Sequence, residues 1–361
     1  MRVLVVGAGA SIEEAIRVNA PEAYWPPTIA NFAEKMWNSF FPYWLPDYLQ
    51  SCGIVPAEDP LAQFIELAKD ATNDINVERL FAYSWVNRDK KFEYGDKLPK
   101  GFIVGNFITI NNAGGIDISA GMTASAVGSV AMSIGMSTGV NYWENLIYHG
   151  VVRPLDELLQ SAFFENGENG PRIRQLEAGK LVFSRLSDGD LVLNLNYDTL
   201  FEIAITQLGL KPNYVLNQFT GKGISIAKPH GSLNLLSDNK RFAFADPNCI
   251  GTTPSSTDNM RNWRGIVPPR FNKDYEQHPY SKMIFSNLKN LTPSRMTFWG
   301  IGMSDSDEDL IRLYRKWVAS TSVLEVINPD SIVADRIAKI LNKKARHFSK
   351  LDDWLAESAV T

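Results

Sequence analysis

In its second half the chain alternates short apolar runs with amphipathic stretches, and that alternation restricts it to a parallel sheet covered by helices. Leu191–Leu195, Ile224–Ala227, Met296–Ile301 and Val323–Ile327 are strand-length runs, with helical patterns over Asp198–Leu208, Asp307–Ala319 and Ser331–Asn342 between or after them. Consecutive parallel strands need a crossover, most simply a helix, and a strand covered on both faces reads as a continuous apolar run. The start of the chain follows the same order. Residues 2–6 form a strand candidate that enters Gly7-Ala8-Gly9-Ala10-Ser11, and Ser11-Ile12-Glu13-Glu14 has the S-x-x-E spacing of a capping box opening a helix. The expected fold class is α/β, a Rossmann-like doubly wound parallel sheet.

From Tyr24 to about Ser187 the pattern changes to long amphipathic stretches such as Asp59–Lys69 and Asn76–Val86, broken by Pro-rich and Gly-rich segments. This part reads as a large, mainly helical insertion or lobe, so the expected division is 1–24 with 188–361 as the sheet domain and 25–187 as the lobe. Within it Ile118–Val140 is uncharged but rich in Gly, Ser and Thr, too weakly apolar for a membrane span. It fits a buried helix pair with close contacts, or a mobile loop. Lys350–Ala359 reads as a closing amphipathic helix.

Composition narrows the function classes. A net charge of −4 over 361 residues offers no basic field for nucleic acid. The two cysteines, Cys52 and Cys249, can build neither a cysteine-rich zinc module nor a disulfide framework, which fits a reducing cytoplasm. Val3-Leu4-Val5-Val6 runs into glycines at once and lacks the longer apolar core of a secretory signal.

Five segments at strand ends carry the candidate chemistry. In the first, Gly7 and Gly9 permit a tight turn close to a pyrophosphate, and the following helix turns its N–H groups to the anion. Ile12 occupies the place of the third glycine of the dinucleotide fingerprint, and Glu13 and Glu14 would set negative charge near a bound phosphate. In the second, Asn196-Tyr197-Asp198 follows the run Leu191–Leu195, so Asn196 and Asp198 emerge where open parallel sheets bind ligands. The Asn196 amide can donate to and accept from a water or ribose hydroxyl; Asp198 can bind a carboxamide N–H or cap the next helix. In the third, Lys228-Pro229-His230-Gly231-Ser232 places one of the four histidines at a strand end beside a glycine. His230 there can take a proton from a hydroxyl or water near neutral pH, or serve packing alone. His149, His278 and His347 have no comparable setting. Near the C-terminus Gly300-Ile301-Gly302-Met303-Ser304-Asp305-Ser306-Asp307 repeats the strand–glycine–helix order, and Asn328 ends the run Val323–Ile327, where it can bind a ribose or make a turn.

Together these segments, with Ile266-Val267-Pro268-Pro269 and Asn272-Lys273, resemble the Sir2 superfamily of sirtuin-like NAD-consuming proteins. The resemblance covers both ends of the chain in the right order and leaves roughly 35–185 unmatched. It is closer to the bacterial NAD hydrolases of anti-phage defence than to protein deacylases, since the four-cysteine zinc module of the deacylases is absent and Leu195 stands where they usually carry Gln. The resemblance implies that Asn196 orients the attacking water or ribose, His230 acts as general base and Asp198 holds the nicotinamide carboxamide. It implies that Gly7, Ala8, Gly9, Ser11, Gly300 and Gly302 line the phosphates and Asn328 the adenosine ribose. NAD is then a substrate, and no metal is required. Such an enzyme would exhaust its host's NAD if unregulated, so control by homo-oligomerisation or by a separate regulatory or sensor protein is expected, with neither nucleic acid nor membrane as partner. Two other readings stand beside it: a deacylase or ADP-ribosyltransferase, and a non-catalytic subunit that binds NAD or ADP-ribose and signals by assembly.

Overall fold

The computed structural model describes residues 1–28, 31–32, 35, 57–59, 62–63, 108–110, 116–118, 147–168, 170–216, 218–238, 240–251, 260–267, 278–303 and 307–358. The chain forms two compact units, Met1–Thr28 with Leu155–Thr361, and Ile29–Pro154. The sequence boundary at 187 therefore lies well inside the first unit, which resumes at Leu155. Most of the expected helical lobe, including nearly all of Asp59–Lys69, Asn76–Val86 and Ile118–Val140, lies outside the described residues.

The described strands, in chain order, are β1 (Arg2–Val6), β2 (Ile108–Ile110), β3 (Ile116–Ile118), β4 (Phe164–Gly167), β5 (Gly170–Ile173), β6 (Leu191–Asn194), β7 (Asn213–Tyr214), β8 (Ser225–Ala227), β9 (Leu235–Ser237), β10 (Phe242–Phe244), β11 (Arg295–Trp299), β12 (Val323–Ile327) and β13 (Arg346–Phe348). The α-helices described in full are α1 (Ala8–Arg17), α2 (Arg153–Phe163), α3 (Ala178–Phe183), α4 (Leu200–Thr206), α5 (Pro279–Leu288), α6 (Glu308–Val318), α7 (Ser331–Leu341) and α8 (Leu351–Ser358). In the smaller unit β2 and β3 pair antiparallel, and a π-helical turn spans Tyr148–Val152.

Seven strands of the larger unit form one sheet in the order β13-β12-β11-β1-β6-β8-β7. Every neighbouring pair is parallel. This is the expected Rossmann-like α/β fold. Side chains alternate across each strand, so the apolar runs fill two cores. Val3, Val5, Leu193, Met296, Phe298 and Val326 face α5, α6 and α7 through Tyr280, Ile284, Leu313, Trp317 and Ile337. Leu4, Val6, Val192, Ile226, Trp299 and Ile327 face the other layer through Ala10, Val182, Phe201, Ile205 and Trp354. No helix among the described residues is long and apolar enough to cross a membrane.

This strand order fixes where a site can form. From β1 the chain moves to one side, through β6, β7 and β8, then returns to β11 on the other side of β1 and continues outward. The helices that follow β1 and β11 lie in opposite layers. The order thus reverses between β1 and β11, and a crevice opens beyond the carboxyl ends of the strands at such a reversal.

The capping box expected at Ser11-x-x-Glu14 does not form. Helix α1 begins earlier, at Ala8 with Gly7 as its N-cap, and Glu14 leaves its own helix to accept from the backbone N–H groups of Glu177, Ala178 (3.3 Å) and Gly179 (2.9 Å) at the start of α3. A carboxylate satisfies more unpaired donors there than by reaching back within α1. Burial pushes the Glu14 carboxyl above its ordinary range, and the three N–H groups pull against it. Glu13 pairs with Arg17 at 2.9 Å.

Candidate active site

The two glycine loops at the reversal point are packed into one another. Gly7 N–H donates to Trp299 O at 3.0 Å, and Gly9 N–H donates to Gly300 O at 2.9 Å. A Cβ on Gly9 would lie 2.7 Å from Gly300 Cα, and one on Gly300, where φ is +64°, only 2.2 Å from the backbone nitrogen of Ala10. These glycines are required by contact between the β1 and β11 loops, whatever else they bind. Two of the N–H groups that the sequence suggested for a pyrophosphate are thereby used within the protein. Gly302 is different: it is exposed and nothing lies within 4 Å of a Cβ placed there. Ala8 is the first residue of α1, whose N-terminus has no side-chain cap, so no side chain offsets the positive end of the helix dipole there.

Asn196, Ser11 and Asp198 form one hydrogen-bonded chain beside this loop. The Asn196 amide donates to Gly7 O and to Ser11 Oγ, both at 2.9 Å. Ser11 in turn donates to Asp198 Oδ2 at 2.7 Å. Both amide hydrogens of Asn196 are committed, so Oδ1 is left as its accepting group. Asp198 is 5% exposed, and its Oδ1 takes the N–H of Leu200 at 3.1 Å. It thus makes the local turn into α4 and also anchors Ser11, which the sequence had assigned to phosphate and which here holds the other two residues in register.

His230 stands on the neighbouring loop, after β8. Its Nδ1 lies 3.1 Å from Leu195 O. A carbonyl only accepts, so in the neutral ring Nδ1 carries the hydrogen and Nε2, which is shielded from solvent, the lone pair. The loop that carries it is fixed on both sides. Val267 N–H donates to His230 O at 2.9 Å, and Leu233 N–H donates to Tyr197 O at 2.8 Å. Tyr197 Oη closes the triangle by donating to Val267 O at 2.8 Å. Gly231 is forced by this packing: its φ is +81°, and a Cβ would fall 1.9 Å from Gly265 O.

Asn328 is occupied in holding loops. Its Nδ2 donates to Ile301 O at 3.2 Å, and its Oδ1 accepts from Asp330 N at 2.9 Å. It fixes the β11 loop against the start of α7, and Asp330 caps that helix through Ile332 N. Ser304–Ser306, Pro268–Pro269 and Asn272–Lys273 lie outside the described residues. Among the described residues no group of three or more His, Cys, Asp or Glu side chains could hold a metal ion.

Three side chains of the site went unassigned in the sequence. Lys228 and Glu202 pair at 3.0 Å with both side chains fully buried, Lys228 donates to Asp198 O at 2.7 Å, and Asn194 donates to Glu202 at 3.2 Å. The one sequence sign of this was a lysine ending an apolar strand run, where a parallel sheet is buried.

No protein-family model and no curated protein matches the chain.

Proposed function

We propose that the protein hydrolyses NAD+ to nicotinamide and ADP-ribose. The observation that carries this reading is the pairing of an imidazole, His230, held through Nδ1 by a carbonyl, with the locked amide of Asn196 on adjacent strand ends, next to the N-terminus of α1, which has no side-chain cap. An NAD+ molecule laid across the reversal point would set its pyrophosphate at that helix end and its nicotinamide ribose toward the two side chains.

Nicotinamide leaves a cationic pyridinium as a neutral molecule, so the departing group needs no proton. The C1′–N bond breaks with the electron pair going to the ring, and the ribose passes through an oxocarbenium-like state. Asn196 Oδ1 accepts a hydrogen bond from the attacking water, and its oxygen forms the new bond to C1′. His230 Nε2 takes the proton that the water loses. Asp198, already bonded to Ser11 and Leu200, retains lone pairs for a carboxamide N–H and supplies negative charge near the cationic transition state.

A second part of the proposal concerns control. An NAD hydrolase must be held in check, so we infer regulation through self-assembly or a separate partner, as in a defence effector. The test is product analysis of purified protein with NAD+, alone and with an acyl-lysine peptide. Nicotinamide and ADP-ribose in equal amounts, unchanged by the peptide, support hydrolysis. An acyl-ADP-ribose product would establish deacylation instead, and bound NAD+ without release at every protein concentration and with any neighbouring gene product added would establish the binding subunit.

A further inference from the structure

We propose that the buried Lys228–Glu202 ion pair is a positioning device for the catalytic turn. Lys228 and Glu202 act through Asn196 and Asp198 without touching substrate. This inference rests on the hydrolase reading for its activity readout and on geometry for its substance.

The turn from Leu195 to Thr199 leaves the sheet after β6 and enters α4. Its backbone groups have no ladder partner beyond the first N–H, yet buried polar groups must be satisfied. Two of them are held by the ion pair. Lys228 donates to Asp198 O at 2.7 Å. Glu202 accepts from Asn194 Nδ2 at 3.2 Å, and Asn194 Oδ1 accepts from Asn196 N–H at 3.1 Å. The backbones of Asn196 and Asp198 are thus tied, one directly and one through Asn194, to a single pair of opposite charges.

Lys228 also precedes Pro229 and His230, so the residue that grips the Asn196 turn begins the loop that carries the imidazole. Pro229 is pinned in turn, its carbonyl accepting from Ser281 Oγ at 2.6 Å. The pair couples the two loops whose relative placement the reaction needs.

Stability alone does not call for this arrangement. Both side chains are fully buried, and a buried ion pair can often be replaced by apolar residues of similar volume without loss of stability. An apolar pair fills the space but cannot donate to Asp198 O or hold Asn194.

The test compares Lys228→Met/Glu202→Leu, which removes both charges together, and Glu202→Gln, which keeps the shape, with wild type. For nicotinamide release from NAD+, the double variant is expected to lose about a hundredfold in kcat, the scale set by a misplacement of about 1 Å, with KM within about threefold, and to melt lower because Asp198 O and Asn194 Nδ2 lose their partners. Glu202→Gln keeps an acceptor for Lys228 and Asn194 but leaves the Lys228 charge unbalanced, so it is expected to melt lower and to lose about tenfold in the same way. Asn194→Ala, which leaves the ion pair intact and cuts only its tie to Asn196 N–H, is the variant that keeps the fold should the others fail to, and it too is expected to lose about tenfold in kcat. Wild-type kcat in any folded variant would overturn the proposal. Hydrogen exchange of segment 195–199 supplies the second readout. It is expected to quicken about tenfold in the variants, with β1 and β11 unchanged; unchanged exchange at 195–199 overturns the proposal. Absence of NAD+ cleavage by the wild type would sink the hydrolase reading, and the exchange result would then decide the positioning claim by itself.

Discussion

Glu13 and Glu14 are adjacent in sequence, and their replacement by alanine is expected to have very different costs. Glu14 is 3% exposed and closes the N-terminus of α3 by accepting from Glu177, Ala178 and Gly179. Glu14→Ala strips the acceptor from all three donors at once. Hydrogen bonds to a charged group contribute about 1.5–3 kcal/mol each in net terms, and a carboxylate at a helix N-terminus adds about 0.3–1 kcal/mol. The three bonds are not additive, and burial opposes the charged form of Glu14, so the expected loss is about 3 kcal/mol. For a unit of this size that lowers the melting temperature by about 6–12 °C. Glu14→Gln keeps one acceptor oxygen and should lose about half as much. Glu13, partly exposed and paired with Arg17, belongs to the surface class, and Glu13→Ala should change stability by about 0.5 kcal/mol or less. Thermal melts of the three variants at one pH check this. A Glu14→Ala protein that melts with Glu13→Ala would refute the cap.

Gly300→Ala places a Cβ against the backbone of Ala10 at a positive φ, and is expected to cost about 3 kcal/mol or more from strain and overpacking combined, measurable as a lower melting temperature, whereas Gly302→Ala, in open space, should melt with the wild type. Asp156, whose carboxylate accepts from Gly251 N–H at 2.7 Å, is pushed up to about 6, chiefly by burial. A carboxyl raised in the folded state holds its proton longer than in the unfolded chain, so its contribution is complete below its ordinary value of 3.8 and is lost as pH rises toward 6. Allowing for partial exposure, about 1 kcal/mol is lost across that window. Asp156→Asn keeps an acceptor for Gly251 and should flatten the dependence of melting temperature on pH; an unchanged slope would refute the assignment.

The sheet was legible because buried parallel strands announce themselves. Leu191–Leu195 and Val323–Ile327 are mainly apolar runs, each interrupted by one polar residue, Asn194 and Glu325, and the strands fall within a residue or two of them. β7 and β13 gave no such signal. Asn213–Tyr214 is only two residues long, and Arg346-His347-Phe348 is a largely exposed edge strand that carries charge, as edges do. The helix start at Ser11 was misread because a local capping pattern competes with tertiary partners, and here Asp198, 187 residues away, claims the serine hydroxyl.

Within the site, Asn196, Asp198 and His230 stood out by their places at strand ends, which the topology then brought to adjacent loops. What sequence could not show is how they are held. Glu202 and Lys228 are 26 residues apart, Glu202 looks like an ordinary solvated charge in its own segment, and only the β6–β8 pairing brings it to Lys228. Gly7, Gly9 and Gly300 were legible as loop formers, but their contact with each other depends on β1 lying beside β11.

We propose that Asn196 and His230 together cleave the glycosidic bond of NAD+. This is tested most directly by the initial rate of nicotinamide release for wild type, Asn196→Ala and His230→Ala, measured beside NAD+ binding by calorimetry. Each variant is expected to lose about 10²–10⁴-fold in rate while binding changes only a fewfold. A variant of either residue that binds NAD+ and releases nicotinamide at the wild-type rate would contradict it.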